Sequence, residues 1–144
     1  TIAGTLATAL AEEAIFRLGF IETIRKTSLS KWRVPLSALI FGASHLAPLF
    51  GGAAILPCLM QAGYTFLLGL LLGVGYEAGG LGVTVFIHFL FNFLQDDLYV
   101  SSGGGNWDKN FIIANLICAI LAGICCVFLF FFKVFKGDRS EAKN

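Results

Sequence analysis

Apolar residues occupy the chain in long runs, and its polar residues fall into two kinds: clusters that separate the runs and a few singletons inside them. The runs cover approximately residues 2–21, 34–50, 54–75, 80–95 and 110–135. A helix needs about 20 mainly apolar residues, within about 17 to 25, to cross hydrocarbon. The pattern therefore predicts an all-α, polytopic transmembrane helix bundle with about five spans. The fourth run is short, but Gly79-Gly80 and Asp96-Asp97 frame it, and tilt or extension accommodates such differences. Gly51-Gly52 divides the second run from the third, and Pro35 and Pro57 sit near helix starts, where a missing N–H is tolerated. With no repeat, soluble domain or long linker, residues 1–144 read as one membrane domain: a core at about 11–95, a final span at 110–135 and a short basic tail at 136–144.

Composition supports this reading. Of 144 residues, 57% are hydrophobic and only 13% charged, against about 25% in soluble domains. A formal charge of +1 is too small to point to nucleic acid, which leaves the lipid bilayer as the expected surrounding partner. Cys58, Cys118, Cys125 and Cys126 lie in apolar runs without C-x-x-C spacing and read as small buried residues. The chain starts at Thr1 with no charged n-region before the first run, so upstream sequence, further spans included, is expected.

The placement of basic residues gives an orientation. Arg25, Lys26, Lys31 and Arg33 mark the first loop as cytoplasmic, and Lys133, Lys136, Arg139 and Lys143 do the same for the tail. The loop carrying Asp96, Asp97 and Asp108 has only Lys109 to offset them. Five spans satisfy this alternation, with Gly51-Gly52 and residues 96–109 outside; in an organelle, the inside is stroma or matrix.

Inside the runs, ionisable groups are few: Glu12, Glu13, Arg17, His45 and His88, with Gln61 and Asn92 as neutral companions. Such groups at membrane depth are costly and usually face a cavity or one another. At a rise of about 1.5 Å per residue, Glu12 lies roughly 20 Å before Arg25, His45 roughly 18 Å after Arg33, and His88 and Asn92 roughly 13 and 19 Å after Gly79. Three helices thus place polar groups in one layer, for which a shared cavity is the economical explanation. Glu13 and Arg17 are i,i+4 and can pair, which frees Glu12, turned about 100° away. A desolvated carboxylate beside an imidazole suits a general base for water, a role that fits Glu12 with His45. His88 and Asn92, also i,i+4, can donate to an oxyanion on an attacked carbonyl. These groups suggest hydrolysis of an amide within the membrane. Gln61 reads as a helix-packing hydrogen bond and Glu77 as a solvated interfacial residue. The Phe-rich final span, Phe128 to Phe132 with Phe135, reads as facing lipid.

The three motifs, Glu12-Glu13-x-x-x-Arg17, Phe41-x-x-x-His45 and His88-x-x-x-Asn92, in this order and on three candidate helices, resemble those of the CAAX-protease and bacteriocin-processing (Abi) family of intramembrane endopeptidases. The resemblance covers about residues 11–95. It implies an α-helical membrane protease in which Glu12 works with His45 to activate water, His88 and Asn92 stabilise the oxyanion, and Glu13 and Arg17 support the site. It also implies a membrane-associated protein or peptide substrate, with prenylated peptides among the candidates. Similarity to members with a glutamate-dependent mechanism favours no metal; zinc on Glu12, His45 and His88 is the alternative, although no H-E-x-x-H helix is present. The expected activity is peptide-bond hydrolysis near the inner membrane face. The competing expectation is an idle scaffold or accessory subunit of a larger membrane complex.

Overall fold

The computed structural model describes residues 2–95 and Ile120, and every element it contains there is helical. Helix α1 (Ile2–Glu13) runs without interruption into a π-helical segment (Ala14–Ile21) and a short α2 (Glu22–Arg25). A 3₁₀ turn (Ser30–Trp32) leads into α3 (Arg33–Ser44), a second 3₁₀ turn (Ala47–Gly51) follows, and α4 occupies Ile55–Asn92.

The π segment has a direct cause in the spacing of the buried residues. Ala9, Glu13, Arg17 and Ile21 are the buried positions of this stretch, each four residues after the last. In an α-helix a step of four overshoots a full turn by about 40°, so a long series of such steps spirals off the buried face. The wider π turn, with its i→i+5 hydrogen bonds, takes back that drift. Glu13, Arg17 and Ile21 therefore stay on one stripe facing α3 and α4.

Helix α4 is broken at Gly80, whose φ of 76° and ψ of −171° are not helical. That region of backbone space is essentially restricted to glycine. The two arms, residues 55–79 and 81–92, fold back on each other: the Tyr64 and Phe91 ring centroids are 6.2 Å apart, whereas 27 residues of straight helix would separate them by about 40 Å. The break expected at Gly79-Gly80 is thus a helical hairpin turn. Gly52, at φ 83°, ends the second 3₁₀ turn, as the Gly51-Gly52 division suggested.

Helix α3 packs antiparallel against the first arm of α4 through small residues. Val34, Ala38 and Gly42 meet Gly73, Gly69 and the Ala62–Phe66 turn in reverse order. A Cβ on Gly42 would lie 2.8 Å from the Ala62 carbonyl oxygen, so only glycine permits this approach. Small residues four apart on both partners are a packing mode of helices in lipid, where close van der Waals contact supplies the attraction.

The distribution of polarity is inverted relative to a water-soluble core. Glu13, Arg17, Ser37, Thr84 and His88 are buried, while Leu6, Leu10, Ile15, Leu39, Leu59 and Phe86 point outward. Two segments, Ser30–Gly51 and Ile55–Gln95, are long and apolar enough to cross a membrane. The expectation of five separate spans is corrected accordingly. The described residues hold three longer helices, α1, α3 and α4, because the third and fourth runs are arms of one broken helix. The first run carries Glu12, Glu13 and Arg17, which lower its apolar character. The fifth run at 110–135, the loop at 96–109 and the tail lie outside the described residues.

Candidate active site

The buried stripe of the first helical stretch delivers Glu13 and Arg17 to the centre of the bundle, and both side chains are completely enclosed. Arg17 Nε lies 2.9 Å from Glu13 Oε2. The approach is a charge contact without hydrogen-bond alignment, and Arg17 Nη2 has no hydrogen-bond partner among the described residues. Arg17 Nη1 donates to Ser37 Oγ at 2.9 Å, and that hydroxyl donates to the Phe16 carbonyl at 2.8 Å. The guanidinium also lies over the Phe41 ring, 5.3 Å from its centroid. Arg17 is held from three sides by α3 and its own helix.

Glu13 has a second task. Its Oε1 lies 2.9 Å from His88 Nδ1, across the bundle. A carboxylate oxygen opposite a buried Arg accepts, so Nδ1 carries the proton and Nε2 faces the other way. There Nε2 meets Glu12 Oε2 at 3.4 Å. His88 is consequently wedged between the adjacent carboxylates, one per ring nitrogen. The expectation that Glu13 merely neutralises Arg17 is incomplete, since Glu13 bridges Arg17 to His88. Glu12 is the exposed member of the pair, with 31% of its side chain accessible against none for Glu13.

His45 lies just past the end of α3, at its C-cap. Its Nδ1 is 2.9 Å from the Phe41 carbonyl oxygen. That oxygen can only accept, so Nδ1 donates and Nε2 keeps its lone pair. The Phe41 ring sits at the centre of this arrangement, with its centroid 5.0 Å from that of His45 and 5.6 Å from that of His88. Phe41 thus spaces the two imidazoles, a role that the x-x-x in Phe41-x-x-x-His45 does not advertise.

Glu12, His45, His88 and Asn92 line one cavity of about 180 Å³. Gln61, Tyr64 and Thr65 form the wall contributed by the first arm of α4, and Thr8 and Gln95 also line the cavity. The shared layer expected from helix rise is therefore a shared cavity, although no hydrogen bond joins Glu12 to His45.

A comparison with known families matches residues 1–94 to the Rce1-like family, described as type II CAAX prenyl endopeptidase Rce1-like. The chain belongs to this family. No curated protein and no solved structure matches it. Family membership and the two apolar segments together make it a membrane protein.

Two features of this family member were not expected from its sequence. Glu77 is not a solvated loop residue: its side chain is only 11% exposed and is clamped by two arginines. Arg33 donates bidentately to it at 2.7 and 2.8 Å, and Arg25 Nη2 at 2.8 Å. Arg25 also pairs with Glu22, which accepts from the Tyr76 hydroxyl at 3.0 Å. Arg25 and Tyr76 together hold the Glu22 carboxyl below its ordinary range. The second feature is depth. This ionic clamp binds the first loop to α4 near its hairpin turn, at the Arg33 end of α3, whereas His45 lies just past the opposite end.

Among the described residues no three His, Cys, Asp or Glu side chains converge as a metal-holding group. His88 Nδ1 is bonded to Glu13 and His45 Nδ1 to the Phe41 carbonyl, which leaves Nε2 as the second nitrogen of each ring.

Proposed function

We propose that this chain is an intramembrane endopeptidase that hydrolyses a peptide bond of a membrane-associated substrate, with CAAX-type prenylated peptides the class suggested by its family. The observation that carries this reading is the convergence of Glu12, His45, His88 and Asn92 on one cavity.

Each group then has a task set by its neighbours. Glu12, the partly exposed carboxylate of the pair, takes a proton from water. His45, its Nδ1 occupied by Phe41, offers Nε2 as an acceptor that orients the same water. The oxygen of that water attacks the scissile carbonyl carbon, and the carbonyl electron pair moves onto oxygen. The His88 Nε2 proton and the Asn92 amide donate to the oxyanion, a stabilisation worth most where water is excluded. As the C–N bond breaks, Glu12 returns its proton to the departing nitrogen. Glu13 and Arg17 are positioning residues: Glu13 keeps a proton on His88 Nδ1, and Arg17 balances the Glu13 charge. With Arg17 matched to Glu13, a second proton on His88, at Nε2, balances the Glu12 carboxylate 3.4 Å away.

The scaffold reading carries no observation of its own. The two are separated by comparing protein termini in membranes of cells that carry the native chain or Glu12→Gln at equal abundance. Termini that disappear in the variant support proteolysis and name substrates. Unchanged termini, with complexes containing the chain intact, would favour a scaffold.

A further inference from the structure

An extended peptide entering this cavity meets a problem that the groups described so far do not solve. Its N–H and C=O groups on either side of the scissile bond leave water, and an amide group left unpaired there weakens binding. Helical walls offer no help, because their own backbone groups are already paired. A protease built from helices therefore needs a side chain that both donates and accepts.

We propose that Gln61 is that group: a positioning residue that hydrogen-bonds the backbone of the substrate beside the scissile bond. Four observations converge on it. Gln61 lies on the first arm of α4, in the wall of the cavity that also holds Glu12, His45, His88 and Asn92. Its carboxamide has no hydrogen-bond partner among the described residues; the side-chain bond made to this residue falls on its backbone oxygen, which accepts from Thr65 Oγ1 at 2.7 Å. Thr65, one turn further along, is unsuited to the task, because its hydroxyl is spent on the Gln61 and Ala62 carbonyls. A carboxamide is also a neutral side chain that can pair with a peptide N–H and a peptide C=O at once. A helix-packing role, the expectation from sequence, would require a partner on a neighbouring helix, and the described helices provide none.

The inference rests on the endopeptidase reading, and the test separates the two. The native chain, Gln61→Leu and Gln61→Glu are purified into lipid vesicles and assayed with a farnesylated C-a-a-X peptide. A second peptide carries backbone esters in place of the amides flanking the scissile bond, which removes N–H donors and weakens C=O acceptors. Gln61→Leu should raise KM about tenfold with kcat little changed, as expected for one neutral hydrogen bond made equally in ground and transition states. The native chain should lose a similar factor on the ester peptide, and Gln61→Leu should lose no more on top. That non-additivity is the signature of a direct contact. Gln61→Glu keeps size and acceptor but lacks the amide donors, and it serves if the leucine variant does not fold. Full cleavage by Gln61→Leu, or an equal further loss on the ester peptide, would overturn the role of Gln61 and leave the protease reading intact. A native chain that neither binds nor cleaves the amide peptide would overturn both.

Discussion

The two ends of the bundle each gather carboxylates and arginines, and they use them in opposite ways. At the ionic clamp, Glu22, Arg25, Arg33, Glu77 and Tyr76 saturate one another: Glu77 receives donors from two guanidiniums on both of its oxygens. At the cavity, polar groups keep spare capacity. Glu12 has an open flank, His45 Nε2 keeps a lone pair, and the Gln61 carboxamide is unpaired among the described residues. A saturated network holds helices in place, and an unsaturated one is available to a substrate.

Interventions at both ends can break that comparison. The largest expected effect is Glu13→Ala, which strands the fully buried Arg17 and removes the partner of His88 Nδ1. Leaving one charge of a buried pair alone costs about 3–5 kcal/mol, so the folded fraction in mild detergent should collapse, as followed by thermal unfolding. Next is Gly80→Ala, which forces a Cβ into a backbone region that non-glycine residues avoid, at about 1–3 kcal/mol. The hairpin should loosen and, with it, the Tyr64–Phe91 contact, read by crosslinking cysteines placed at those two positions. Glu77→Gln should cost about 1 kcal/mol, because the Arg25 and Arg33 partners stay partly exposed and the amide retains one acceptor.

The smallest effect is one of pH. The folded Glu22 carboxyl lies below its ordinary value because Arg25 and Tyr76 bond to it. Its contribution is thus full above the unfolded carboxylate range, about 4.3, and fades as pH falls through the lower folded value. The difference in melting temperature between the native chain and Glu22→Gln should shrink as pH is lowered from 6 to 3. A difference that widened instead would contradict the assigned bonds.

Much of the cavity was legible from sequence, because charge in an apolar run must face something, and helix rise gave Glu12, His45, His88 and Asn92 a common depth. The hairpin break at Gly79-Gly80 was legible for a similar reason, as a local signal. What sequence did not disclose depends on contacts between distant residues. Glu77 sits 44 residues from Arg33, so nothing nearby marked it as clamped. The bridge from Glu13 to His88 spans 75 residues and was hidden by the stronger local signal of the Glu13 and Arg17 pair. The π segment was missed because hydropathy counts do not distinguish it from an α-helix; its trace is the repeated spacing of four along Ala9, Glu13, Arg17 and Ile21.

The most direct test of the central claim is a paired measurement on purified Glu12→Gln and Glu77→Gln: the rate of peptide-bond hydrolysis and the melting temperature of each. The account predicts a crossed result. Glu12→Gln should lose about 10²-fold or more in rate, as for removal of a general base, with its melting temperature nearly unchanged. Glu77→Gln should melt earlier and still turn over. If Glu12→Gln retains activity, or if both variants lose rate only in proportion to lost stability, the cavity is not the catalytic centre.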